Sequence, residues 1–289
     1  MKEIRLFQEL IRINKPIGIL LLFWPCSWGL TLANDFDNKD FQYLTYLVYF
    51  FLGSVLMRSA GCIVNDILDK KYDIRVKRTK NRPIASEKIS VRLGLFYTVI
   101  LCLLAFLILI QFSLTTVLLG LVSMPFAFSY PLMKRFTYWP QLFLGFTFNY
   151  GLIMAWFSIN PEFSYIPIIF YAGAIFWTLA YDTIYGFQDI KDDEIIGVKS
   201  TSIKFKKNPK LFIFICYLIF ILMQIIAGVM MSFEYYYFIG VLIIAVHLII
   251  FQTYKVDFSK PNICLEKFKS NNYLGILIFL NILINKIIL

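Results

Sequence analysis

Residues 41–83, FQYLTYLVYFFLGSVLMRSAGCIVNDILDKKYDIRVKRTKNRP, decide the fold. From Phe41 to Val64 the only charged residue is Arg58, and from Asn65 to Pro83 the chain turns densely charged. A helix needs about 20 apolar residues to cross a bilayer, so the first part predicts a membrane helix. The abrupt change after Val64 marks the place where that helix meets water.

Working outward, eight more apolar stretches of similar length lie at 16–33, 93–111, 113–131, 140–158, 164–188, 211–232, 235–254 and 271–289. None alternates with period two, which argues against a barrel. The expected fold is all-α: a polytopic membrane protein with nine transmembrane helices. The third and fourth helices meet at a very tight turn, Gln111–Phe112–Ser113. Composition agrees. The 289 residues are 59% hydrophobic and 16% charged, with mean hydropathy +0.70, against about 45–50% and about 25% for soluble chains. A water-soluble enzyme is excluded, and 30 Phe, 18 Tyr and 5 Trp exclude a solvated coil.

The net charge of +10 has a topological reading. With the N-terminus in the cytoplasm, the cytoplasmic segments carry 25 of the 28 Lys and Arg residues; Arg58 lies within a span, leaving only Lys39 and Lys286 outside. That asymmetry follows the positive-inside rule and removes the need to invoke nucleic acid as a partner. Residues 1–15 lack a signal-peptide core and transit-peptide composition; they read as an interfacial amphipathic helix carrying Ile4, Phe7, Leu10 and Ile11 on one side. The expected setting is the bacterial cytoplasmic (inner) membrane. The five cysteines have no CxxC spacing and predict neither disulfides nor a zinc site.

Two cytoplasmic loops, about 65–92 and 189–210, are long and densely charged. In the first, Asn65, Asp69 and Asp73 recur at i, i+4 and i+8 and share one face if the helix continues past the membrane surface; Asp66 lies one residue off that face. In the second, Asp182, Asp189 and Asp193 form another row with Tyr185 between them, flanked by Asp192 and Glu194. Like charges at i, i+4 repel by a few tenths of a kcal/mol, roughly, per pair. Neutralising neighbouring lysines would explain one such pair; two rows ending two membrane helices call for a ligand. Oxygen donors without His or Cys suit a hard cation, and Mg²⁺ is usually held by few carboxylates plus phosphate oxygens.

The interspersed cations Lys77, Arg78, Arg82, Lys134, Arg135 and Lys199 fit the far side of a diphosphate. Arg58 lies seven residues before Asn65, inside the span. A guanidinium there costs about 2.5–3.5 kcal/mol, so it should face a polar cavity and hold a carboxylate, or else pair with an acid on another helix. His247 has no partner nearby in sequence and is assigned no role. No glycine-rich nucleotide loop is present.

These segments together resemble the UbiA superfamily of intramembrane prenyltransferases. The resemblance rests on NKPIGILLLFWP, LMRSAGCIVNDILDKKYDIRVKRTKNRP, SYPLMKRFTYWPQ, AYDTIYGFQDIKDDEIIGVKST and CLEKFKSNNYLG, and is nearest to the 4-hydroxybenzoate polyprenyltransferases of ubiquinone biosynthesis. It implies one integral-membrane domain over residues 1–289, its helices set around a central cavity capped by the two acidic loops. It implies that Asn65, Asp69, Asp73, Asp189 and Asp193 bind polyprenyl diphosphate through Mg²⁺, and that Arg135 contacts substrate. Arg58 and Asp182 lie in matched stretches. Either Arg58 or Arg135 would hold the carboxylate of 4-hydroxybenzoate, and Tyr181, Tyr185 and Trp177 would face the carbocation. Rival expectations are another acceptor (a naphthoate, homogentisate or haem), a cation or solute transporter, and a non-catalytic lipid-diphosphate binder.

Overall fold

The structure is a computed structural model that describes residues 2–36 and 40–288; Lys39, one of the two cations expected on the outer side, falls outside them. The described residues contain helices and no strand. In chain order these are α1 (Lys2–Leu10), α2 (Ile17–Ala33), α3 (Asp40–Asp73), α4 (Val91–Leu109), α5 (Leu114–Ser129), α6 (Met133–Phe136) and α7 (Pro140–Ile159). There follow α8 (Tyr165–Gly186), α9 (Ile190–Ile196), α10 (Thr201–Lys204), α11 (Pro209–Met230), α12 (Tyr235–Val246) and α13 (Pro261–Ile288). A 3₁₀ turn, Tyr130–Leu132, joins α5 to α6, and a π-helical stretch, His247–Tyr254, continues α12.

Eight of the described helical segments are long and apolar enough to cross a membrane: α3, α5 with α6, α12 with its π-helical end, and α4, α7, α8, α11 and α13. The helix α2 is apolar but has 17 residues, about 25 Å at 1.5 Å per residue. It is the most enclosed element, packed against α7, α13 and α3. Three boundaries differ from the sequence reading. The helix expected to end near residue 64 runs on to Asp73; the last helix begins at Pro261 rather than 271; and the segment 189–210 contains the short helices α9 and α10. The tight turn at 111–113 is present, with Ser113 capping α5 by accepting from the Thr116 amide at 3.4 Å.

Between the helices the packing is aromatic and hydrogen-bonded. Trp28, Trp177, Tyr181 and Phe220 are fully buried together. Trp28 donates to the Gly275 carbonyl (3.1 Å), Trp177 to Asn271 (2.8 Å) and Asn149 to Thr178 (2.8 Å), tying α2 and α8 to α13 and α7 to α8. In lipid such bonds and close packing replace the hydrophobic drive between helices. The outer faces carry exposed Leu, Ile, Val and Phe, as along α4 at Leu95, Phe96, Val99, Leu103 and Leu107. A belt of that extent needs an apolar solvent. This is a multi-pass membrane protein.

The charged segments gather at one end of the bundle. Arg12 bonds Asp66, Arg78 bonds Asp189, the Lys199 amide donates to the Lys134 carbonyl (2.8 Å), and Lys210 donates to the Tyr254 carbonyl (2.9 Å). At the opposite end Lys286 pairs with Asp35 at 2.9 Å.

Candidate active site

A cavity of about 730 Å³ opens among the charged ends of α2, α3, α7, α8 and α13. Helix periodicity sets its first wall. Because α3 continues unbroken to Asp73, Arg58, Asn65, Asp69 and Asp73 all line the cavity, and Asn65 donates to Asp69 Oδ2 at 3.2 Å. The second wall comes from the end of α8 and from α9: Asp182, Tyr185, Asp189 and Asp193 line it. Gly197, at φ 76°, ends α9 in the left-handed conformation that a glycine takes without steric cost. The next segment is pinned to α7 and α8 by the Thr201 amide donating to Gln141 (3.0 Å) and Ser202 Oγ donating to the Thr183 carbonyl (2.7 Å).

The cations close the space between the walls. Lys134 pairs with Asp69. Arg78 reaches across to Asp189, its Nε 2.8–2.9 Å from both carboxylate oxygens, and donates to the Tyr185 hydroxyl at 3.3 Å. Arg82 donates to Asp73 (2.8 Å) and Asp66 (3.1 Å). Lys199 lines the cavity and donates to the Phe136 carbonyl at 3.2 Å. Arg58, with its guanidinium 5.3 Å from the Phe148 ring, makes no ion pair among the described residues, and neither does Asp182. Eight cationic and five acidic side chains line the cavity, and an excess of positive charge suits an anionic ligand.

Three of the residues expected at the site lie elsewhere. Arg135 is not on the cavity wall: it donates to the Leu68 carbonyl at 2.6 Å and stacks over Tyr72, holding the end of α3 from behind. Lys77 is exposed and outside the cavity. Trp177 is enclosed by Trp28, Tyr181 and Phe220 rather than facing the cavity, which Tyr181 and Tyr185 do. Arg12, Asp66 and Lys269 had no assigned role in the sequence, yet Arg12 and Lys269 are wall residues and Asp66 is buried against Arg12 and Arg82. Arg12 meets Asp66, 54 residues away, so no local spacing signals that pair.

The carboxylates suit a hard cation. Asp69 Oδ1 is buried and meets no hydrogen-bond donor among the described residues. Burial, and then the charge of Asp189 beside it, pushes the Asp193 carboxyl up to about 6; a group so placed gains from a cation. Among the described residues no three Asp, Glu, His or Cys side chains form a metal cluster by themselves, so an ion here would need further oxygen donors from its ligand and water.

Residues 22–282 match the UbiA prenyltransferase family. The chain belongs to that family. Among UbiA relatives it is 38% identical to the 4-hydroxybenzoate octaprenyltransferase of Nitrosomonas eutropha, over 98% of this chain and 97% of that one. It is also 38% identical to the mitochondrial 4-hydroxybenzoate polyprenyltransferase of Dictyostelium discoideum, where the match covers 98% of this chain and 61% of the longer relative. The fold is that of a UbiA homologue from Aeropyrum pernix in its apo form (TM-score 0.76, 19% identity, 92% of this chain and 97% of that one). It is shared by a UbiA homologue from Archaeoglobus fulgidus bound to GPP and Mg²⁺ (TM-score 0.72, 17% identity, 96% and 99%).

Proposed function

We propose that this chain transfers a polyprenyl group from polyprenyl diphosphate to 4-hydroxybenzoate, at the ring carbon ortho to the hydroxyl, with release of diphosphate, in ubiquinone biosynthesis. The observation that carries this reading is the convergence of both acidic rows and eight cations on one membrane-embedded cavity, in a chain 38% identical to a 4-hydroxybenzoate octaprenyltransferase over nearly its whole length. Asn65, Asp69, Asp73, Asp189 and Asp193 would hold Mg²⁺, which when bound neutralises the diphosphate and improves it as a leaving group.

The chain's own groups do the rest. Lys134, Arg78 and Lys199 take up the negative charge that grows as the allylic C–O bond breaks. Tyr181 and Tyr185 present aromatic faces to the cation left behind, and the apolar surroundings keep water from it. Arg58, which makes no ion pair among the described residues, holds the acceptor carboxylate with its planar fork. As the new C–C bond forms, the ring carbon loses its proton to Asp182, which shares the cavity with Arg58. The prenyl tail would leave through a second cavity of about 210 Å³ between α3, α4, α5 and α7, which shares Arg58, Tyr130 and Phe148 with the first.

The test is membrane bearing the protein, given Mg²⁺, a polyprenyl diphosphate and 4-hydroxybenzoate, with mass analysis. Prenylated 4-hydroxybenzoate is expected; adducts only with naphthoate, homogentisate or haem, or solute flux without product, would overturn the assignment. The one-domain reading of residues 1–289 belongs to this proposal, as do a nine-span topology with α2 included and a bacterial inner-membrane location with the charged end cytoplasmic. A cysteine in place of exposed Lys77 should react with an impermeant maleimide in inverted vesicles; labelling only from the periplasmic side contradicts the orientation.

A further inference from the structure

The end of α1 is unusual in what it carries. The Ile13 amide donates to the Gln8 carbonyl and the Arg12 amide to the Glu9 carbonyl, each at 3.3 Å. That pair of bonds places one residue in the left-handed region, where glycine is the usual choice. Here the residue is Arg12, at φ 57°. Two other non-glycine residues share the conformation, Glu87 and Ser232, and both are exposed. Arg12 instead reaches into the cavity wall. Its helix is anchored: Leu10 and Ile11 are buried against Ala60, Ile63, Ile84 and Ile89. A strained backbone retained at a cavity points to a use for the side chain.

The charges show what that use is. Arg12 and Arg82 both donate to the same oxygen, Oδ1 of buried Asp66, and Arg82 also donates to Asp73 at 2.8 Å. Two guanidiniums and two carboxylates make a neutral set. Asp73, however, faces the cavity at the end of the first acidic row, and in the function proposed above it serves a cation. With Asp73 so engaged, Arg12 and Arg82 share one carboxylate and leave one positive charge unmatched on the wall. We propose that Arg12 is a diphosphate-binding residue, held on Asp66 until a prenyl diphosphate arrives and then turned to a phosphate oxygen. The N-terminal helix is thereby part of the active site and not only a membrane-surface anchor. This rests on the reading of the cavity as a prenyl-diphosphate site.

Glycine at position 12 suits the backbone and removes the whole side chain with its guanidinium, so Arg12→Gly is the informative variant, with Arg12→Lys to retain the charge and an aliphatic stem. Two quantities are read on purified full-length protein: affinity for inorganic pyrophosphate in Mg²⁺, and KM for each substrate. Arg12→Gly should weaken pyrophosphate binding and raise the prenyl-diphosphate KM at least about tenfold, leave the 4-hydroxybenzoate KM within about twofold, and unfold no earlier than wild type; Arg12→Lys should fall between. If Arg12 only neutralised Asp66, adding Asp66→Asn to Arg12→Gly would restore wild-type values; the proposal expects no restoration. Restoration, or a single variant that binds pyrophosphate like wild type, overturns it. Wild-type protein that binds no pyrophosphate in Mg²⁺ overturns the reading of the cavity, and this inference with it.

Discussion

Asp69 has two unlike oxygens. Oδ2 takes Lys134 and Asn65, while Oδ1 is buried with no donor among the described residues. An unsatisfied carboxylate oxygen costs about 1–3 kcal/mol or more, and a cation in the cavity would relieve that. Arg58 is a complementary case, a half-buried guanidinium lining the cavity without an ion pair among the described residues. Arg58→Ala should raise the 4-hydroxybenzoate KM at least about tenfold, the loss expected for one charge-assisted hydrogen-bonded pair, with the prenyl-diphosphate KM little changed. Asp182→Asn should lower kcat without raising either KM. Steady-state kinetics with both substrates varied checks both, and a larger effect on prenyl-diphosphate KM refutes the carboxylate role. The rows were legible in the sequence because i, i+4 spacing and helix geometry are local. Arg12 was not, because its partner is 54 residues away and its own surroundings look like a surface helix.

At the scale of helices, hydropathy located the apolar middles and misjudged the ends. Residues 65–73 and 261–270 are charged, so they read as loops, yet α3 and α13 run through both; hydropathy marks where a helix leaves lipid, not where its backbone hydrogen bonding stops. Functionally this matters, since the first acidic row exists only because α3 continues. Close approach sets the bundle's interior. A Cβ at Gly29 on α2 would overlap the Leu152 carbonyl of α7, and backbone cannot move aside as a side chain can. Gly29→Val should therefore destabilise by about 1–3 kcal/mol or more, read as a lower unfolding midpoint in detergent. Gly53 is the opposite: it lines the second cavity, and a Cβ there meets nothing within 4 Å. Gly53→Phe should fold normally and cut turnover of long prenyl diphosphates about tenfold relative to a ten-carbon donor. Equal loss for both donors would place the tail elsewhere.

Across the whole molecule, the division of labour follows the solvent. One end collects the charged segments around the cavity, the middle shows lipid an apolar surface, and the far end carries only the Lys286–Asp35 pair among the described ion pairs near it. The Lys and Arg distribution anticipated which segments would meet, but not which cation would meet which acid. Pairing depends on side-chain reach across helices far apart in sequence: Arg78 crosses to Asp189, 111 residues on, while Arg135 turns back onto α3. In the proposed function both acidic rows grip one diphosphate. The most direct test of that grip is Mg²⁺-dependent binding of a prenyl diphosphate to purified wild type, Asp69→Asn and Asp189→Asn, each first shown to unfold at a similar midpoint. Either single variant should lose affinity by about a hundredfold; wild-type affinity in either one would show that the two rows do not share one diphosphate.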